Sequence, residues 1–155
     1  MYGSEKDIRH NLLLFFIDGV AFMPSMTLIS VSAVIPYFLV QLGATTFQIA
    51  LSASLALICT FIAQPFFSFL ATHSPMMHKT FGKILLLQRS IFFIFVLCIP
   101  ALVKTGAIFV WIFLFFWGLF NVFVGAYNVF HTPLVITLLP PEKRGAIRGL
   151  GYAIG

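Results

Sequence analysis

Residues 12–40 read LLLFFIDGVAFMPSMTLISVSAVIPYFLV, an apolar run holding one charge, Asp18. As a helix rising about 1.5 Å per residue, the run would reach about 44 Å, against roughly 30 Å for a hydrocarbon core. It is long enough to cross a bilayer, with length left for tilt or protruding ends. Three more long apolar runs follow within 155 residues. A small soluble domain has too much surface for its volume to bury all of them. The sequence therefore predicts an all-α, polytopic helical membrane protein with the lipid bilayer as its main surroundings.

Composition points the same way. The chain is 61% hydrophobic and 8% charged, where soluble domains carry about 25% charged residues. Its net charge of +5 does not mark a nucleic-acid partner, because the nine basic residues fall between apolar blocks and form no single patch. Cys59 and Cys98 each lie alone inside an apolar run and read as small packing or lipid-facing residues. His73 and His78 flank a loop that has no Cys, Asp or Glu, and their spacing is not a zinc pattern. The sequence holds no phosphate-cradling glycine motif, nucleophile elbow or paired carboxylates of a hydrolase. No enzyme activity, metal or cofactor is expected. The N-terminal flank SEKDIRH mixes acidic and basic residues ahead of an overlong apolar run, so it is not a cleavable signal.

Taken in order, the chain predicts a short polar tail over 1–10 and helices over about 11–41, 47–71, 81–103 and 107–138. Pro24 and Pro36 lie in the first helix, and each favours a kink by freeing the carbonyl four residues earlier. In LGATT, Gly43 suits a helix C-cap, and Thr45 or Thr46 suits an N-cap. Pro75 marks a turn, and the short KTG link at 104–106 returns the fourth helix beside the third. LPPEKRG then stops the fourth helix. A fifth apolar segment begins at about 146 and reaches Gly155. About ten residues do not span a bilayer, so the expectation is a truncated membrane domain, part of something longer.

The basic residues predict orientation. Lys6, Arg9, Lys79, Lys83, Arg89, Lys143, Arg144 and Arg148 fall on one side of a four-span layout, and Lys104 alone on the other. The positive-inside rule then places the N-terminus in the cytoplasm, with the protein in the cell (inner) membrane.

A few residues interrupt the apolar background. Asp18 lies about 9 Å into the first helix, and Ser25 and Ser32 follow it at sevenfold spacing on nearly the same face. Two roles are open to it: a protonatable or cation-binding carboxylate at a transport cavity, or a partner for a basic residue that holds helices together. Arg89, at similar depth in the third helix, is such a partner, or else snorkels to the headgroups. Ala56, Thr60, Gln64 and Ser68 repeat every four residues along the second helix. On the fourth, Gly118, Asn121, Gly125, Asn128 and Thr132 form a small, polar seam. That seam reads either as a helix-packing surface or, through Asn121 and Asn128, as the lining of a solute pathway. His131, near the end of the same helix, is a proton relay or a boundary residue meeting headgroups.

Three features together resemble the N-terminal portion of a major facilitator superfamily transporter. The loops alternate short outside with longer and basic inside. IPYFLVQLGATTFQIAL, at 35–51, resembles the passage joining that family's first two helices, and PPEKRGAIRGLGYAIG resembles its link between helices four and five, with Arg144, Gly145 and Gly149. The family's Gly-x-x-x-Asp-Arg-x-Gly-Arg pattern is replaced at 68–76 by Ser68, Thr72, His73, Pro75 and Met76, and only Lys79 and Lys83 keep its basic character. The resemblance implies a partial six-helix N-terminal half of a twelve-helix fold, with the solute site between two halves. It also implies that the first and fourth helices line the cavity, which would put Asp18, Asn121 and Asn128 near it. The function expected is a fragment of a secondary active transporter moving a small-molecule solute by alternating access, with H+ or Na+ coupling at Asp18. Its partner would be the missing C-terminal half of its own chain. The alternative from another class is a small non-transporting membrane protein that assembles with partner helices through its Gly/Asn seam. A membrane enzyme comes third.

Overall fold

The computed structural model describes residues 5–28, 32–142, 144, 145 and 149, with side chains at all of these except 6 and 21–28. All regular structure among them is helical: α1 (Glu5–Leu28), α2 (Val34–Gln41), α3 (Thr46–Thr72), α4 (Met77–Leu102), a 3-10 turn (Val103–Thr105) and α5 (Ala107–Leu138). Three described segments, Thr46–Thr72, Met77–Thr105 and Ala107–Leu138, are long and apolar enough to cross a membrane. The chain divides into two compact units. One comprises Met1–Ser30 and His131–Gly155, hereafter the terminal unit; the other, Val31–Phe130, is the central unit.

The first apolar run is not one helix over 11–41. Helix α1 is described over Glu5–Leu28, Ser32 and Ala33 form a turn, and α2 starts at Val34. Pro36 explains the second start. It is the third residue of α2, where an amide N–H has no intrahelical partner to lose. Pro36 therefore sits in a first turn rather than kinking a continuous helix. The polar start of the chain also differs from a tail over 1–10, because residues 5–10 are helical. Glu5 and Asp7 favour the positive end of the helix dipole, and Arg9 reaches back to Glu5 at 3.0 Å. The expected fifth segment from 146 lies almost entirely outside the described residues.

Local chemistry sets the α2–α3 corner. Gly43 has φ +73°, a conformation that a residue without Cβ adopts freely. Its N–H donates to Val40 O at 2.9 Å, and the Ala44 N–H donates to Leu39 O at 3.0 Å. Two carbonyls at the end of α2 are thereby satisfied, in a Schellman arrangement. Next, the Gln48 N–H donates to Thr45 Oγ1 at 3.3 Å and the Thr45 N–H donates to Gln48 Oε1 at 2.9 Å, a reciprocal cap on α3.

Within the central unit α5 is the core helix. A larger share of it is buried than of α3 or α4. Phe109, Val110, Leu114, Trp117 and Ala126 are almost fully enclosed. Helix α4 lies antiparallel along it through an aromatic series. Phe81 stacks on Phe130, Phe92 meets Phe120 edge-on, and Phe95 stacks on Phe116 at a 4.3 Å centroid distance. Phe38 of α2 covers the start of α5 at Phe113, 5.1 Å away. The outer surfaces of α3 and α4 carry exposed Phe61, Ile62, Phe66, Leu86 and Phe93. An apolar exterior around a polar-threaded interior suits a bilayer, where lipid replaces water as the solvent.

Candidate functional site

Polar side chains in the central unit gather where α3 crosses α5. The Trp117 indole N–H donates to Ser52 O at 2.9 Å, buried between the helices. One turn on, Asn121 Nδ2 donates to Trp117 O at 2.8 Å. The Asn121 backbone oxygen then lies 3.1 Å from the Thr60 hydroxyl, which is also 2.8 Å from Ala56 O. One hydroxyl proton serves both carbonyls, so this bond is shared. The result is a chain of bonds that runs from α3 to α5 and back to α3.

Gly125 closes the crossing. A Cβ built there would sit 2.6 Å from Thr60 O and 2.9 Å from Ala63 Cβ. The two backbones are therefore as close as their atoms permit, and a glycine is required for reasons of space. Gly118 is looser: its Cβ would meet Cys59 Sγ at 3.5 Å, an ordinary contact. Beside it lies an open apolar groove of about 420 Å³, bordered by Leu51, Leu55 and Cys59 on α3 and Trp111 and Phe115 on α5. Its lining suits hydrocarbon, not a polar solute.

The five residues singled out from the sequence have separate fates. Asn121 is 5% exposed, and its amide N–H is engaged within its own helix. Asn128 and Thr132, on the same seam, are exposed, as is Arg89 on α4. Asp18 and His131 are half-buried and both belong to the terminal unit. There the His131 ring meets Phe15 edge-on, with centroids 5.6 Å apart. Phe15 precedes Asp18 by three residues, so the two share a side of α1. The imidazole thus packs within one turn of Asp18 along α1. In the same unit Arg144 closes the end of α5, with Nε donating to Leu139 O at 2.9 Å and Nη2 to Ile136 O at 2.7 Å. A guanidinium on the last carbonyls of a helix offsets the negative end of its dipole.

The structure also adds residues that the sequence reading missed. Ser52 is fully buried and Gln48 nearly so, whereas Gln64 is half-buried and Ser68 exposed. The four-residue repeat was a usable signal, but it extends backwards from Ala56. Each step of four turns about 40° past a full rotation, so a long repeat cannot stay on one face. Among the described residues no group of three or more His, Cys, Asp or Glu could hold a metal ion. No protein-family model matches the chain, and no curated protein or solved structure does so either.

Proposed function

We propose that this chain is part of a secondary active transporter that moves a small solute by alternating access, with Asp18 as the ion-coupling carboxylate. The observation that supports this most is the company Asp18 keeps in the terminal unit. A carboxylate inside an apolar helix costs about 2.5 kcal/mol or more near a helix centre, so it persists where it has a task or a partner. The imidazole of His131 packs on Phe15, one turn before Asp18 on α1. A carboxylate and an imidazole within one unit agree with a proton relay. The likeness of 35–51 and of the PPEKRGAIRGLGYAIG stretch to major facilitator transporters, together with the eight-to-one charge asymmetry, agrees with this reading and with a cytoplasmic N-terminus in the inner membrane.

Asp18→Asn in the full-length protein should abolish uptake driven by an ion gradient while exchange of solute down its own gradient survives. Proteoliposome flux with a solute panel measures both. Full gradient-driven accumulation by the variant would remove Asp18 from the mechanism.

A second reading is a non-transporting protein that assembles with partner helices. Its support is that two bonds of the polar chain, Trp117 Nε1 to Ser52 O and Thr60 Oγ1 to Asn121 O, join α3 to α5. Flux above that of empty liposomes for any solute in the panel would rule it out.

A further inference from the structure

Helix α4 packs through one face only. Phe81, Gln88 and Phe95, seven residues apart, are its buried residues. The opposite face carries Lys79, Lys83, Leu86, Ser90, Ile94 and Leu97, and all six are exposed. At about 100° per residue these six fall within a sector of roughly 80°. Charge is layered along that sector. Both lysines lie in the first two turns after Met77, and from Leu86 onward the face holds no charge. The distance from Lys83 to Leu97 along the axis is about 21 Å, comparable with one leaflet and its interface.

The lysines have no carboxylate to answer them in their own unit. The central unit carries Lys79, Lys83, Arg89 and Lys104, and no Asp or Glu occurs anywhere between Asp18 and Glu142. His73 and His78 stand at the same turn, both exposed, and bring no negative charge. The turn's hydroxyls, Ser74 and Thr80, bond to each other. A further helix laid over this face would have to desolvate two ammonium groups. A zwitterionic headgroup would bring a cation of its own.

From this layering we infer that the outward face of α4 is a binding site for an acidic phospholipid, its phosphate held by Lys79 and Lys83 and its tails lying along Leu86, Ile94 and Leu97. The site needs only that α4 spans a membrane, and it goes beyond the transport reading. Cations beside a span attract acidic lipid by about fivefold each at the membrane surface. Two lysines one turn apart concentrate that attraction in one place.

The test uses the full chain in nanodiscs of phosphatidylcholine with a minor fraction of phosphatidylglycerol. Spin-labelled lipids report which of the two occupies the immobilised shell. Lys79→Gln and Lys83→Gln should each lower the preference for phosphatidylglycerol about fivefold, and the pair should lower it further. The Arg pair at 79 and 83 should restore it, and Lys104→Gln should leave it unchanged. High salt should weaken it. An unchanged preference in the Gln pair would overturn the proposal. So would competition by free inorganic phosphate at millimolar levels, which would mark a soluble anion as the ligand. Efficient disulfide cross-linking between copies through Leu86→Cys would show that protein covers the face, and would overturn it as well.

Discussion

Helix α5 is held on two sides by different means. Toward α3 the join is close, small-residued and hydrogen-bonded, with Gly125 against the Thr60 carbonyl and Trp117 bonded to Ser52 O. Toward α4 it is a series of phenylalanine rings, Phe81 on Phe130, Phe92 on Phe120 and Phe95 on Phe116. In lipid the hydrophobic effect does not press helices together, because the tails are as apolar as leucine. Association must come from packing and from directed bonds. The α3 side uses backbone proximity, which a single added carbon would break. The α4 side uses large rings whose contacts are spread over several positions and can readjust. One helix thus has a rigid partner and an adaptable one.

That contrast can be broken experimentally. Gly125→Leu should have the largest effect, because its Cβ alone would meet backbone at 2.6 Å. We expect a loss of about 3 kcal/mol or more in unfolding by SDS from mixed micelles. Wild-type stability would show that the helices are not in close approach there. Phe95→Ala should follow, with a loss of about 2 kcal/mol from the cavity left beside Phe116; Phe95→Leu should lose less than half of that. If both variants fell as far as Gly125→Leu, the ring series would be as rigid as the crossing. Trp117→Phe keeps most of the ring and deletes one buried bond, for about 1 kcal/mol. Thr60→Val, nearly isosteric, should be mildest at about 0.6 kcal/mol, since each carbonyl it serves also has a partner available within its own helix. A larger cost for valine than for Trp117→Phe would show that the shared hydroxyl, not the indole, ties the helices.

The two polar repeats show how far periodicity reaches. The seam Gly118–Asn121–Gly125 is visible in the sequence because small residues at spacings of three and four stand out against phenylalanine, and the structure uses all three against α3. Its continuation, Asn128 and Thr132, has the same spacing and is exposed. On α3 the buried face is Gln48, Ser52, Ala56, Ala63 and Phe67, rotated about the axis away from the stripe that continues through Gln64 to Ser68. Spacing reports which residues share a side of a helix. It does not report how much of that side a neighbour covers, because the neighbour's length and tilt are not local quantities.

What the residues determine alone is whatever depends on near neighbours along the chain. The helical character and the long apolar segments belong here. So do Gly43 as a cap with positive φ and the Thr45–Gln48 reciprocal cap, because each involves atoms within a few residues. Tertiary structure decided the rest. Asn121 and Asn128 look alike in sequence, and one is enclosed while the other is exposed. The difference comes from residues distant in sequence, whose proximity is set by the balance of the whole packing and not by any single stretch.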